Sequence, residues 1–483
     1  MIEISNVSFA YQGSESLALD EISLHVDAGE CLLLCGKSGC GKSTVLNLIN
    51  GIIPNHVEGK LEGAVKVNGV EPKNVAIQTL SADVGSVFQN PKSQFFSLNS
   101  TDELLFGCCN HKVPKETMLT RLEETTRDFA MPHLLDRYIF DLSGGEKQKL
   151  ACASAYMIRP TIYVLDEPSA NLDANAITEL QQVIATLKAA GNTILIAEHR
   201  LYYLVELCDR VVYIDAGKVA AEFTQDEFVA LDDDERQRLG LRAIQRPIIK
   251  NRQPATAIAS GDNNNLLTIN GMQCFHGKKL AVDIQNLQLP KHQVIALIGH
   301  NGAGKSTFAA GLSGILKAKA QIKDEKGLTR KERLKRAYVV MQDVNHQLFA
   351  ESVLDELMLG HAFNNEEKMS AAKRLLDQLN LLQFSEQHPQ SLSGGQKQRT
   401  AIATALFTNK RYLIFDEPTS GVDLVHMTRI AELIAALKQR VEIALVITHD
   451  REFINHCCDY VVEIDNGKVI DQFSIDREAA GGA

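Results

Sequence analysis

Two short segments carry the residue types needed to hold a chain of phosphates. Gly36-Lys37-Ser38-Gly39-Cys40-Gly41-Lys42-Ser43 and Gly299-His300-Asn301-Gly302-Ala303-Gly304-Lys305-Ser306 each follow an apolar run and open a helical pattern. Glycines at 36, 39 and 41, and again at 299, 302 and 304, let backbone N–H groups curl around phosphate oxygens, and a helix N-terminus adds positive potential. Lys42 and Lys305 reach the outer phosphates, the Ser43 and Ser306 hydroxyls suit Mg²⁺, and Thr44 and Thr307 follow in the same turn. Such a site needs a carboxylate for the ion and a group to activate water. Asp166 and Asp416 end the apolar runs Ile162-Tyr163-Val164-Leu165 and Tyr412-Leu413-Ile414-Phe415 and fit the Mg²⁺ role. Glu167 and Glu417 follow and can orient or deprotonate a water molecule. Gln89 and Gln342 stand at apparent strand ends, where an amide can serve both ion and water, and His199 and His449 follow apolar runs from which an imidazole could touch a terminal phosphate. The chemistry implied is hydrolysis of a magnesium-bound nucleoside triphosphate, with every part present twice.

The elements that must position these residues also come in two copies. Leu-Ser-Gly-Gly at 142 and 392, Asp-Glu-Pro at 166 and 416, and His199 and His449 are all spaced by 250 residues, whereas the glycine-rich loops are spaced by 263. The second unit is therefore 13 residues shorter between its glycine-rich loop and its Leu-Ser-Gly-Gly, a deletion that suits a surface loop or hairpin. Val67-Asn68-Gly69-Val70 reads as a tight hairpin turn. Cys31–Leu34, Ile162–Leu165 and Thr193–Ala197 read as buried parallel strands. The spacing of Ile177, Leu180, Ile184 and Leu187 predicts a helix over 174–190, stopped by Gly191. Strand–helix alternation predicts an α/β sheet with ligands at the carboxyl ends of its strands. The expected division is 1–225 and 265–483 for the two domains, with 226–264 as a polar linker. Fully extended, that linker could reach roughly 130 Å, enough for the two units to face each other.

Composition sets the outer bounds. A chain of 483 residues exceeds one compact core. No apolar run is long enough to span a bilayer, and Met1-Ile2-Glu3-Ile4 lacks the basic-then-apolar pattern of a signal peptide, so a cytosolic protein is expected and any membrane role needs a partner. A net charge of −10 argues against a nucleic-acid partner. The ten cysteines show no metal-ligand spacing and read as free thiols.

Taken together, these parts resemble the ATP-binding cassette (ABC) ATPases over nearly the whole chain apart from the linker. Leu142-Ser143-Gly144-Gly145-Glu146 and Leu392-Ser393-Gly394-Gly395-Gln396 are similar to that family's signature motif. The resemblance implies two tandem P-loop NTPase domains, each with a mainly parallel core sheet, a small antiparallel β part and an α-helical signature subdomain. It implies ATP and Mg²⁺ as cofactors. It further implies head-to-tail pairing of the two heads within the chain, with Ser143, Gly144 and Gly145 completing the Lys305 site and Ser393, Gly394 and Gly395 completing the Lys42 site. The same motifs are capping boxes, in which Glu146 and Gln396 fill one structural role although Glu146 adds negative charge. Asp173 and Asp423 resemble the family's D-loop aspartates, and Asp173 equally suits a helix N-cap. Tyr11 resembles the aromatic that stacks on adenine; in the second unit Phe275 or His276 could serve.

Within that family, the segments after each glutamine are similar to the ATPases of energy-coupling factor (ECF) importers. These are Gln89-Asn90-Pro91-Lys92-Ser93-Gln94-Phe95-Phe96 running into Thr101–Gly107, and Gln342–Phe349 running into Val353–Leu357. That likeness implies a transmembrane scaffold subunit and a small substrate-binding membrane subunit as partners, a place at the cytoplasmic face of the membrane, and Gln94, Asp102, Glu103, Gln347, Asp355 and Glu356 near the scaffold. A tandem ABC ATPase acting on ribosomes is the alternative; those resemble this chain in having two heads but typically carry a long basic linker, and the iron–sulfur variant also needs an N-terminal cysteine cluster.

Overall fold

The apolar runs form the central strands because each of their residues has a core to enter. Cys31–Cys35 is wholly buried between parallel neighbours Thr193–Ala197 and Arg210–Asp215. Its side chains alternate: Cys31, Leu33 and Cys35 join one core, Leu32 and Leu34 the other. The computed structural model describes all residues except 15, 171, 255–264, 324–326, 362–364 and 477–483, and omits the side chains of residues 276, 321 and 323. It divides into Met1–Arg246 and Pro247–Ala483.

In the first unit the sheet runs Val84–Val87, Ile162–Asp166, Thr193–Ala197, Cys31–Cys35, Arg210–Asp215 and Lys218–Thr224. The first five strands are parallel and the last antiparallel. One face is covered by the helices Ser100–Asn110, Gly144–Met157 and Ala174–Ala189. The other is covered by the helix Lys42–Ile49 and an antiparallel sheet of Leu19–Val26, Ile2–Tyr11 and Gly59–Val67. The second unit repeats this order with Ala337–Val340, Tyr412–Asp416, Ile443–Ile447, Val294–Ile298, Tyr460–Asp465 and Lys468–Ile475, and with its own antiparallel sheet. The fold class is that expected. The expected helix ends at Ala189, with Gly191 at φ 78° beyond it. The Val67–Val70 turn forms with Asn68 at φ 49° and Gly69 at φ 79°, closing a single bridge rather than a long hairpin.

The segment read as a linker is partly built into the units. Two short helices, Gln225–Val229 and Asp233–Arg238, bring Phe228 and Leu241 into the first core. Arg252–Pro254 adds a seventh strand to the second unit's sheet, beside Lys468–Ile475. Residues 255–264 lie outside the described part. Among the described residues no helix is long and apolar enough to cross a membrane. Phe228 is fully buried and lies against Phe223. Phe228→Ala is therefore expected to cost the first unit about 3–5 kcal/mol, read as a lower denaturant midpoint for its unfolding; an unchanged midpoint would mean that this segment is a tether and not part of the core.

Candidate functional site

Each phosphate loop leaves its strand through a glycine that nothing larger could replace. Gly36 and Gly299 have φ of 142° and 144°, and a Cβ there would lie 2.1 and 2.0 Å from the carbonyl oxygens of Ile214 and Ile464. The loop then runs pressed against the next strand's end, and its lysine folds back over it. Lys42 Nζ donates to the carbonyls of Gly36 and Lys37, both at 3.0 Å, and lies 3.4 Å from His199 Nε2. Lys305 Nζ donates to Gly299 and His300 at 2.7 and 2.9 Å and lies 3.1 Å from His449 Nε2. Gly39 and Gly302 are left-handed and face open space, whereas Gly41 and Gly304 pass close to the carbonyls of Ala18 and Ala281.

The strand ends supply the rest. Ser43 Oγ donates to Asp166 Oδ1 at 2.8 Å and Ser306 Oγ to Asp416 Oδ2 at 2.7 Å. Hydroxyl, carboxylate and the nearby Gln89 amide are all hard oxygen donors, the set that Mg²⁺ prefers. Glu167 accepts from Gln89 Nε2 at 2.6 Å and lies 3.4 Å from His199 Nε2; Glu417 lies 3.5 Å from His449 Nε2 and accepts from Thr448 Oγ1 at 3.4 Å. Gln342 follows the Ala337–Val340 strand as Gln89 follows Val84–Val87. Both glutamates hold a left-handed backbone, φ 43° at Glu167 and 51° at Glu417, a conformation that a non-glycine residue keeps only where its surroundings impose it.

Adjacent carboxyls in the first unit are driven apart in acidity. Burial, then the neighbouring Glu167 charge, pushes Asp166 up to about 6. Burial opposes ionisation of Glu167 too, but His199, Lys42 and Gln89 outweigh it and hold that carboxyl below its ordinary value. Asp416 is raised as well, chiefly by burial. Groups displaced in opposite directions are the pattern of a site with separate ion-holding and proton-handling roles.

The signature residues are set by their own helices. Ser143 accepts from Glu146 N at 3.3 Å while Ser143 N donates to Glu146 at 2.7 Å; Ser393 and Gln396 repeat the box at 3.4 and 2.9 Å. Glu146 is partly buried, which raises its carboxyl, but the Ser143 N–H and hydroxyl overcome this and keep it below its ordinary value. Gly145 packs closely on Ala176, while Gly394 faces open space. Asp173 and Asp423 both cap helices, accepting from Ala176 N at 2.9 Å and His426 N at 2.8 Å. Tyr11 is half-exposed, with its hydroxyl 2.8 Å from Thr44 Oγ1. Strand pairing aligns the two units as far as Phe9 and Cys274, beyond which the second unit's register shifts. Phe9 opposes Leu19 and Cys274 opposes Val282, so Phe275 and His276 stand in the stretch that corresponds to Ala10 and Tyr11. The His276 side chain lies outside the described set.

Of the six residues expected beside a scaffold subunit, Glu103 and Glu356 face inward, and Gln94 and Gln347 are half-buried and engaged with backbone. Glu103 and Glu356 are buried and accept from Phe96 N and Ser97 N, and from Phe349 N and Ala350 N. Gln94 bridges Phe88 N and Ser86 O; Gln347 bridges Met341 N and Val339 O. Asp102 is exposed, and Asp355 accepts from Ser352. A carboxylate in the first turn of a helix turns back to the N–H groups of the loop before it, and this loop demand was not visible as a periodicity. The sequence reading also missed Ser38 and Asn301, which occupy one loop position and lie 3.4 and 3.1 Å from His199 and His449 Nε2, and the buried Glu198 and Asp450 beside those histidines. Comparing the flanks of the two histidines would have shown that a carboxylate precedes one and follows the other.

Comparison with known proteins matches this geometry to one family. The ABC transporter family model matches residues 19–170 and 282–420. An ABC transporter ATP-binding protein of Treponema denticola is 42% identical over 476 residues, covering 97% of this chain and 96% of the relative. A second from the same organism is 37% identical over 482 residues, covering 98% and 97%. Among solved structures, a chain of ribosome-bound archaeal Pelota and ABCE1 superposes with a TM-score of 0.69 at 22% identity over 97% of this chain and 78% of that one. An RNase-L inhibitor gives 0.64 at 21% identity over 98% and 91%. These two likenesses concern the fold.

Glu167→Gln and Glu417→Gln are expected to retain ATP binding while slowing steady-state hydrolysis by about 100-fold or more when combined. Normal turnover in the double variant would remove both glutamates from the water-activating role. The chain belongs to the ABC transporter family, as a tandem ATPase whose two α/β P-loop units bind ATP with Mg²⁺ and hydrolyse it.

Proposed function

We propose that the chain is the motor subunit of an ECF-type importer, held at the cytoplasmic face of the membrane by a transmembrane scaffold and a small substrate-binding membrane subunit. Its cargo class is a small nutrient: a vitamin, a metal or a metal chelate. The two sites work as composites, Ser143 and Gly145 closing on the Lys305 site and Ser393 and Gly395 on the Lys42 site, so that ATP favours the closed pair only while its γ-phosphate is present. In this reading Glu167 and Glu417 orient water and Lys42 and Lys305 hold the outer phosphates.

One observation carries the partner assignment. Around the loop after Gln89, whose amide touches Glu167, lies a shelf of exposed apolar side chains: Phe96 (75% exposed) and Leu98 on the loop, Phe106 on the next helix, and Tyr138 and Phe140, with Tyr138 bridged to Asn99. Phe96 and Phe106 are stacked, and the buried Glu103 fixes the loop that carries Phe96. The second unit repeats the device with Phe349, 73% exposed and fixed by Glu356. Exposed apolar side chains clustered on a fixed loop mark an interaction surface, and here the loop also leads to the hydrolytic glutamate. The names of the full-length relatives, ABC transporter ATP-binding proteins, support the same reading.

A second reading is a soluble tandem ABC ATPase acting on ribosomes. It is favoured by the full-length superpositions, since one of those chains is described as ribosome-bound. At 22% identity that likeness carries the two-unit fold, not the partner. Affinity purification of the full chain from solubilised membranes and, in parallel, from ribosomal pellets separates the two. The importer reading expects recovery with two integral membrane proteins, reduced about tenfold by Phe96→Ser with Phe349→Ser, as for loss of central apolar contacts. Recovery with ribosomes and with no membrane protein would establish the alternative.

A further inference from the structure

The histidines that approach the outer phosphate are each followed or preceded by a different residue in the two units: Glu198-His199-Arg200 in the first, Thr448-His449-Asp450 in the second. In the first unit Glu198 is buried, and its carboxylate accepts four hydrogen bonds. Oε1 takes His199 N at 2.8 Å and Arg200 N at 3.1 Å; Oε2 takes Ser169 N at 3.2 Å and the Tyr203 hydroxyl at 3.0 Å. One side chain thus joins the turn that carries His199 to the loop that follows Glu167. Arg200 adds a second strap by donating to the carbonyls of Ser169 and Leu172.

The second unit makes the same junction with the carboxylate moved two positions along. Asp450 is buried, caps the Arg451–Cys457 helix through Phe453 N, and accepts from Thr419 Oγ1 at 2.9 Å. Thr419 is the repeat counterpart of Ser169. Thr448, standing where Glu198 stands, turns its hydroxyl to Asp450 N at 3.0 Å and to Glu417 at 3.4 Å. A buried carboxylate needs donors for its oxygens, and in both units those donors come from the same two segments. The positions differ; the connection does not.

We propose that Glu198 and Asp450 are positioning residues for hydrolysis, each clamping its γ-phosphate histidine to the loop behind its water-orienting glutamate, and that the Glu-His-Arg and Thr-His-Asp triplets are interchangeable solutions to one requirement. The proposal rests on the hydrolytic reading of the site and is independent of which partner the chain serves. Because the clamp sets the distance between the histidine and Glu167 or Glu417, it acts on the reacting geometry more than on nucleotide affinity.

The test uses the full chain and exchanges residues between its own units. E198T with D450R removes the carboxylate from both clamps. It is expected to lower kcat about tenfold or more, while KM for ATP and ADP affinity change less than about threefold, the split that separates positioning from binding or folding. Completing the exchange with R200D and T448E restores a carboxylate to each unit and is expected to return kcat to within about threefold of the parent. If the first variant does not fold, E198Q with D450N keeps the shapes, removes the charges and should lower kcat alone. Parental turnover in the carboxylate-free or amide variants, or a completed exchange no better than E198T with D450R, would overturn the clamp. Glu167→Gln measured alongside keeps the two readings apart: parental turnover there would overturn the hydrolytic assignment itself.

Discussion

The tightest constraint in each unit is steric. Where Gly36 and Gly299 leave the central strand, the backbone passes so close to the carbonyls of Ile214 and Ile464 that a Cβ would overlap them. That contact turns the chain sharply between strand and helix, leaves the helix N-terminus at one point without a side-chain cap, and places a lysine at the first helical position. Everything else in the site is arranged around that point by strand order. The strands ending in Asp166 and Asp416 lie one place removed from the loop-bearing strands, with the histidine-bearing strands between them. Parallel pairing brings all their carboxyl ends to the same edge. A residue placed directly after a strand therefore arrives at the phosphates without a long loop to hold it.

A second constraint is electrostatic. Crowding Asp166, Glu167 and Glu198 into one buried edge costs desolvation for each charge. The first unit answers this differently at each carboxyl: Asp166 is driven toward its neutral form, Glu167 is kept ionised by His199, Lys42 and Gln89, and Glu198 takes N–H and O–H donors from three directions. The second unit carries one carboxylate fewer at the strand end, because Thr448 replaces Glu198. The two sites are thus built to one plan with different charge placement, which is a larger asymmetry than Glu146 against Gln396, since both of those fill the same capping box.

The repeat made most of this legible before any coordinates. Lys42, Ser43, Asp166 and Glu167 could be named because their chemistry is tied to short spacings along the chain, and the strands because their residues are apolar on both faces. What stayed hidden depends on contacts distant in sequence. Glu103 and Glu356 look like the acids of a solvated helix start, yet they are buried because the preceding loop has N–H groups to satisfy. Phe228 sits in a run of charge that reads as a tether, and its burial is decided by a sheet edge that the run itself does not reveal. Which of Phe275 and His276 corresponds to Tyr11 is a matter of strand register, which the sequence alone does not display.

The buried glutamates explain how a surface can respond to the site beneath it. Gln89 touches Glu167 at one end of a segment whose other end displays Phe96, and Gln94 and Glu103 bind that segment's backbone to the strand and helix on either side. A loop fastened in this way holds Gln89 and the aromatic side chains in a fixed relation to each other. Gln347 and Glu356 fasten the second unit's loop in the same way around Phe349. Both units display exposed apolar side chains around this loop: Phe96, Leu98 and Phe106 in the first, with Tyr138 and Phe140 beside them, and Met341, Phe349 and Leu359 in the second.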